Sequence, residues 1–118
     1  MLAKKERLTK KEFDRFFSSG KRYHSPVLQL IYTPLDVFHG AAVVGKKVHK
    51  KAVDRNKTRR RLYGALYALK LQDNLMGVYI VIAKPKAKDA TYATLKQELS
   101  ELVGSTKNLS KILNTKNK

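Results

Sequence analysis

The sequence predicts one domain that mixes helices with strands, and three observations support this prediction. Residues 52–71 repeat apolar side chains with the spacing of a helix. Apolar runs at 41–45 and 78–83 flank that helix and are typical of strands buried on both faces. A chain of 118 residues is long enough for one hydrophobic core but too short for two. A helix between two buried strands therefore indicates a βαβ unit within a single domain.

The N-terminal part predicts a helix followed by extended chain. Thr9 and Glu12 have the spacing of a capping box, so the helix should begin at Thr9. It should end at Gly20, because glycine readily adopts the left-handed conformation that stops many helices. The helical spacing places three aromatic residues on one side, namely Phe13, Phe16 and Phe17. Residues 23–33 favour an extended conformation, which Pro26 divides into a short first piece and a longer second one.

The middle of the chain predicts a connection and then the βαβ unit. Residues 34–40 have the composition of a connection, and the strand at 41–45 follows. The helix at 52–71 should bury one stripe, composed of Leu62, Ala65, Leu66 and Leu69. The second buried strand, at 77–84, ends at Pro85, since proline cannot continue the hydrogen-bond ladder.

The C-terminal part predicts one more helix and a tail. Thr91 can cap this helix, which carries apolar residues at helical spacing and should close at Gly104. The expected organisation is a single domain over 1–104 and a basic tail over 105–118. The tail is polar apart from Leu109, Ile112 and Leu113, so it should hold one helical turn or none.

The charge balance points to an anionic partner. The chain has 26 Lys and Arg against nine Asp and Glu, a net charge of +17, and such an excess repels itself unless a polyanion offsets it. The apolar run at 78–83 is far shorter than the roughly 20 residues of a membrane span. No apolar segment follows the charged N-terminus and no cysteine is present, so we expect a cytoplasmic protein without disulfides. RNA, DNA and an acidic membrane surface are all plausible polyanions on composition alone. The short apolar run argues against insertion into a membrane, and we expect no membrane partner.

The charge is concentrated between Lys46 and Arg61. This segment holds nine basic residues and one acid, Asp54. On a helical wheel, four side chains point away from the buried stripe and form an outward sector, namely Asn56, Arg60, Tyr63 and Tyr67. Most charge runs only solvate an exposed helix, but a solvated helix usually interleaves Glu with Lys. The near absence of acids here favours binding to phosphates, which guanidinium groups contact with two parallel hydrogen bonds.

The same segment resembles a known family. The string that begins at Gly45 and ends at Arg60, GKKVHKKAVDRNKTRR, resembles the signature of the protein subunit of bacterial ribonuclease P: KK, then AV, then RNxxKR. The resemblance continues upstream in Phe13, Phe17 and the GKRY that starts at Gly20, and downstream in the buried strand and the last helix. It covers roughly residues 7–104.

This resemblance implies an α+β fold in which helices cover a small central sheet. The expected order is α-β-β-(β)-α-β-α, and the βαβ crossover is expected to be left-handed, against the general right-handed rule. The resemblance also implies a protein subunit that binds a catalytic RNA and the 5′ leader of precursor tRNA. In that assembly the RNA and its magnesium cleave the phosphodiester, and the protein is not catalytic alone. It needs no obligatory protein partner, and we expect it to hold no metal or other cofactor.

The resemblance carries residue roles with it. The residues expected to contact the catalytic RNA are Lys46, Lys47, Lys50, Lys51, Arg55, Asn56, Lys57, Arg59, Arg60 and Tyr63. Those expected to line a cleft for the leader are Phe13, Phe17, Leu30 and Tyr32. The chain departs from the family pattern at Tyr63-Gly64, where the family usually has Arg-Glu. One arginine contact is thereby lost. Gly64 should lower the stability of the helix by about 1 kcal/mol relative to Ala and make it locally more flexible.

Three other functions fit parts of the sequence. A ribosomal or chaperone-like RNA-binding protein with no processing role would share the composition. A DNA-binding nucleoid protein would share the charge, although no helix-turn-helix spacing is evident. A stand-alone ribonuclease would need clustered carboxylates, whereas the nine acids are scattered and His24, His39 and His49 are isolated.

Overall fold

The computed structural model describes the backbone of residues 4–116 and the side chains of residues 5–107. Three α-helices and four strands follow one another in the order α-β-β-β-α-β-α, with a short 3-10 helix before the first helix and another before the last. Their bounds are Lys4–Glu6 (3-10), Lys10–Ser19 (α1), Lys21–His24 (β1), Leu28–Thr33 (β2), Phe38–Val43 (β3), Ala52–Asp73 (α2), Gly77–Ala83 (β4), Pro85–Asp89 (3-10) and Tyr92–Lys116 (α3).

The strands form one mixed sheet in the order β1-β2-β4-β3. β2 pairs antiparallel with β1 and with β4, whereas β3 pairs parallel with β4. Since α2 connects β3 to its parallel neighbour β4, the predicted βαβ unit and the α+β class are confirmed. The left hand of this crossover stays a prediction.

Each face of the sheet carries its own hydrophobic cluster, because successive strand residues point to opposite faces. The larger cluster joins α2 and α3 to the face that includes Leu28, Leu30 and Tyr32 of β2. The smaller cluster lies on the opposite face and joins Phe16 of α1 to Ile31 of β2. α1 is thus the helix that packs on the second face.

α1 begins as predicted. The Thr9 hydroxyl accepts a hydrogen bond from the Glu12 N–H at 3.2 Å, and the Glu12 carboxylate accepts one from the Thr9 N–H at 2.9 Å. These bonds, the one from the Thr9 backbone first, hold the pKa of the Glu12 carboxyl below its ordinary value. The prediction of a left-handed Gly20 is wrong, because its φ is −73° and its ψ 157°. Glycine is needed there for space, since a Cβ would lie 2.4 Å from Ile31 Cγ2.

β3 begins three residues earlier than the sequence predicts. The prediction placed residues 34–40 in a connection, but Phe38 already pairs with Gly77 at the start of β4. Pro34, Asp36 and Gly40 give the segment the composition of a turn. The parallel ladder with β4 overrides that local preference, because it satisfies the backbone of residues 38–40.

The prediction that the last helix closes at Gly104 is also wrong, because α3 continues to Lys116. The residues just after the glycine make contacts that are consistent with a continuous helix. Thr106 is buried and its hydroxyl donates to the Val103 carbonyl at 2.6 Å, while Lys107 forms an ion pair with Asp73 of α2 at 3.2 Å. The predicted domain boundary at 104 therefore falls inside a helix. The apolar tail side chains at 109, 112 and 113 lie outside the described side chains.

α2 agrees with its prediction and is slightly longer. Its four-residue stripe, composed of Leu62, Ala65, Leu66 and Leu69, is buried against the sheet. The helix ends at Asn74, whose left-handed φ of 51° supplies the stop that the sequence did not identify. Because α2 packs along its C-terminal part, its first two turns are left to present the basic segment.

Candidate nucleic-acid interface

The basic segment enters α2 through a turn with fixed side chains. The Val48 N–H donates to the Gly45 carbonyl at 3.1 Å, and the Val48 side chain is buried in the larger cluster. His49 is half-buried, and its Nε2 lies 3.0 Å from the Thr58 hydroxyl of α2. These two anchors hold the backbone, so the lysines on either side of them project from a defined turn.

Arg55 ties this turn to the helix. Its Nη1 donates to the carbonyl of His49 at 3.1 Å and to that of Lys50 at 2.7 Å. The side chain is half-buried, as expected from its position beside the buried stripe. Arg55 thus has a structural role that sequence reasoning missed, in addition to its predicted contact with RNA.

Four of the predicted lysines come together around a concavity of about 430 Å³ at the start of α2. Its lining residues are Lys46, Lys47, Val48, His49, Lys50, Lys51, Asp54 and Lys88. Lys88 comes from the 3-10 helix after β4, and nothing in its local sequence marks it as part of this surface. Asp54 is the one acid among the lining residues. Lys51 is the N-cap of α2 and makes no side-chain capping bond, so the positive end of the helix dipole adds to the charge of the lysines.

A second basic surface follows along the outer side of α2. Asn56, Lys57 and Arg60 are exposed, and Arg59 is half-buried. The Arg59 Nη1 donates to the Asn56 Oδ1 at 2.7 Å, which orients both side chains before any ligand arrives. We call Asn56, Lys57, Arg59 and Arg60 the outer face of α2.

The two tyrosines do not share this orientation. Tyr63 and Tyr67 are half-buried and pack against the larger hydrophobic cluster, so the prediction that they point outward with Asn56 and Arg60 is wrong. A helical wheel gives the angular positions of side chains around α2, but it does not show how much of the helix surface the larger cluster covers. Tyr63 keeps a partly exposed edge.

The predicted leader cleft is only partly assembled. Phe13 and Phe17 stack on one another with ring centroids 5.6 Å apart, and Phe17 is 36% exposed. Leu30 and Tyr32, in contrast, are buried in the larger cluster on the opposite face of the sheet. The prediction that these four residues line one cleft is therefore wrong for Leu30 and Tyr32. The residue of β2 that faces α1 is Ile31.

Other residues complete the α1 side of the sheet. Val43 and Ile82 are half-buried and pack against the smaller cluster, so part of their apolar surface remains open beside α1. Arg22 of β1 places its guanidinium 4.9 Å from the Phe17 ring centroid and donates to the Phe17 carbonyl at 3.0 Å. We call Phe13, Phe17, Arg22, Val43 and Ile82 the aromatic face. Strand alternation could have identified Arg22, because it is opposite Ile31 in the ladder.

The His, Asp and Glu side chains in the described part of the chain are scattered. No group of three His, Asp or Glu side chains within residues 5–107 is arranged to hold a metal ion. Between residues 4 and 116, every helix is too short or too polar to cross a bilayer. What the residues do form is a lysine-lined concavity, a guanidinium-rich helix surface and an aromatic face. Together with the mixed sheet, these surfaces define a small α+β nucleic-acid-binding protein.

Comparison with known proteins identifies the family. A model of the ribonuclease P family matches residues 2–107. The ribonuclease P protein component of a Nitratiruptor species is 36% identical over 95 residues, covering 80% of this chain and 85% of that one. Its counterpart from Caldanaerobacter subterraneus is 32% identical over 110 residues, covering 86% and 92%. The structure of the Staphylococcus aureus RNase P protein superposes with a TM-score of 0.74 at 25% identity, covering 86% of this chain and 95% of that one.

The chain belongs to the ribonuclease P protein family. It is thus a protein subunit of the endoribonuclease that processes the 5′ end of tRNA, and ribonuclease P RNA is its partner. This finding favours a processing role over the ribosomal, chaperone-like, nucleoid and stand-alone nuclease alternatives.

Proposed function

We propose that this subunit contributes binding and positioning, while the chemistry belongs to the RNA. Magnesium held by that RNA would supply the activated water for phosphodiester hydrolysis. The proposal rests on the contrast between the cationic and the acidic side chains. Cationic side chains converge at the start of α2, whereas the described residues gather no carboxylate cluster. We further propose that the assembly works in the cytoplasm.

The catalytic RNA is assigned to the start and outer face of α2. Exposed lysines and guanidinium groups lower the repulsion between phosphates of two RNA chains brought close together. The bond between Arg59 and Asn56 and the anchors around Val48 reduce the entropy that these side chains lose on binding. The NH₂ donors of Asn56 remain available to a base edge or a hydroxyl, while its carbonyl oxygen accepts one hydrogen bond from Arg59.

The leader of precursor tRNA is assigned to the aromatic face. A single-stranded leader exposes base surfaces that stack on aromatic rings and phosphates that pair with guanidinium groups. Phe17 offers an exposed ring, and Arg22 lies over it at 4.9 Å. Leu30 and Tyr32 have no part in this assignment, because they are buried on the other side of the sheet.

A reconstitution experiment tests the proposal. Precursor tRNA is incubated at low magnesium concentration with the catalytic RNA alone, with the protein alone, and with both. We expect no cleavage by the protein alone and faster cleavage by the pair than by the RNA alone. Cleavage by the protein alone would show that the chemistry is not confined to RNA, and an unchanged rate for the pair would contradict the positioning role.

Phe17→Ala tests the aromatic face. Stacking of one base on an aromatic side chain contributes about 1–3 kcal/mol, so we expect the assembled enzyme to lose about tenfold in affinity for precursor tRNA. Affinity for mature tRNA, which has no leader, should not change. The measurement is a pair of equilibrium titrations with the two tRNAs.

Leu35→Ala is the matched control for Phe17→Ala. Leu35 is 39% exposed, close to the 36% of Phe17, but it belongs to the connection between β2 and β3 and to neither proposed surface. It should bind both tRNAs like the native protein. An equal loss for precursor and mature tRNA in the Phe17 variant would remove the leader from this face.

A further inference from the structure

We propose that the concavity at the start of α2 is a separate phosphate-binding site, and that Lys88 completes it. This proposal rests on the proposed function and deepens it, because it adds a residue from another element and divides the basic segment into two sites. The ligand class is an RNA phosphodiester.

Lysines from three segments of the chain converge on this concavity. Lys46 and Lys47 come from the turn after β3, Lys50 and Lys51 from the residues that enter α2, and Lys88 from the 3-10 helix after β4. Lys88 is 37 positions beyond Lys51 in the chain. Five ammonium groups around one concavity of about 430 Å³ repel each other, and an anion that they share removes that repulsion.

Few groups that line the concavity neutralise these lysines. The lining contains one carboxylate, from Asp54, and the half-buried imidazole of His49 is already close to the Thr58 hydroxyl. The ion pairs found among the described side chains join Lys70 to Glu6 and Lys107 to Asp73, away from this site. Five positive charges against one negative charge leave the concavity suited to a polyanion.

The concavity is distinct from the outer face of α2. Not one of Asn56, Lys57, Arg59 and Arg60 lines the concavity. The outer face is rich in guanidinium and has an amide that can read a base, whereas the concavity is lined by ammonium groups, which act as point charges on phosphate. We therefore assign base or shape recognition to the outer face and sequence-independent phosphate contact to the concavity.

The 3-10 helix supplies a matched pair of variants. Lys86 and Lys88 both lie in Pro85–Asp89 and both are exposed, but only Lys88 lines the concavity. Lys88→Gln and Lys86→Gln remove the same charge from the same short element. Lys88→Arg keeps the charge and serves as the rescue variant.

Binding of full-length protein to the catalytic RNA is measured from 50 to 200 mM salt. One phosphate contact contributes about 0.7–0.9 to the slope of log K against log salt, which corresponds to about a threefold change in affinity over this range. We expect the slope of log K against log salt to fall by about 0.7–0.9 in Lys88→Gln. Lys86→Gln and Lys88→Arg should have the slope of the native protein. The same variants are then assembled with the RNA and titrated with precursor tRNA.

The two titrations identify the source of the phosphate. A lower slope for Lys88→Gln with the RNA alone assigns the phosphate to the catalytic RNA, and a lower slope only with precursor tRNA assigns it to the substrate. Either result supports the site. Equal slopes for Lys88→Gln and Lys86→Gln in both titrations overturn it while the proposed function stands. Failure of the native chain to bind the catalytic RNA would instead overturn the proposed function along with this site.

Discussion

Gly77→Ala is expected to lower the free energy of unfolding by about 2–6 kcal/mol, a large part of the roughly 5–15 kcal/mol that holds a small domain together. Gly77 has a φ of +119°, which residues with a Cβ rarely adopt and which costs about 1–3 kcal/mol. The added Cβ would also lie 2.7 Å from the Tyr32 ring and 3.0 Å from the Thr33 carbonyl oxygen. Overpacking of this kind costs a further 1–3 kcal/mol, roughly.

The Tyr32 ring has little freedom to relieve this contact. It is 2% exposed and packs on Tyr79 with ring centroids 5.0 Å apart. The same burial raises the pKa of the Tyr79 hydroxyl well above its ordinary value, and that hydroxyl donates to the Met76 carbonyl at 3.2 Å. Tyr32 therefore packs against a ring, that of Tyr79, which is itself constrained, so neither ring can move easily to make room for the added Cβ.

Gly64→Ala is the matched control for Gly77→Ala. Gly64 lies in the interior of α2, and apart from the adjacent residues and backbone of its own helix, a Cβ there would meet no atom within 4 Å. This variant should gain about 0.5–1 kcal/mol, because Ala favours a helix over Gly. Urea denaturation of both variants measures the difference. A Gly77 variant as stable as the native protein would contradict the strain argument.

The order of elements and the main buried stripe follow from local signals. The capping box of Thr9 and Glu12 is satisfied by residues three apart, so a short window of sequence contains the whole interaction. The same is true of the helical spacing of Leu62, Ala65 and Leu66, all of which are buried. In these cases local preference and tertiary packing agree.

The errors arise where long-range pairing decides. One face of β2 is wholly apolar, with Leu28, Leu30 and Tyr32, whereas Ile31 shares the other face with Gln29 and Thr33. Alternation separates these two faces but does not show which of them α1 covers. The choice depends on how α1 packs, and no spacing within β2 encodes it. The continuation of α3 past Gly104 is likewise a tertiary effect, since Thr106 just beyond the glycine is buried in the folded chain.

The proposed RNA-binding site was predictable in composition but not in shape. Four of its lysines lie within residues 46–51, so a short window of sequence marks them. Lys88 is separated from them by a helix and a strand, and its place depends on the parallel pairing of β3 with β4. The double role of Arg55, which holds the turn through two carbonyl contacts, is likewise a property of the folded chain.

Lys50→Glu combined with Lys51→Glu is expected to weaken binding to the catalytic RNA by about 30-fold or more at 0.15 M salt. If each lysine contacts one phosphate, each contact contributes about 0.9 to the slope of log K against log salt. Two such contacts strengthen binding about 30-fold at 0.15 M salt relative to 1 M salt. The new carboxylates add repulsion to this loss. The slope of log K against log salt should fall by about 1.4–1.8. Filter binding across a salt series gives both quantities.

The control for this pair is Lys10→Glu combined with Lys11→Glu, which changes the net charge equally at the start of α1. Acids near a helix N-terminus interact favourably with its dipole by about 0.3–1 kcal/mol, and all four lysines are exposed, so neither pair should cost folding stability. Loss of binding in the α2 pair then reports a local contact with phosphate. If the α1 pair weakens binding as much, total charge rather than the concavity drives association, and the assignment of catalytic RNA to the start of α2 is wrong.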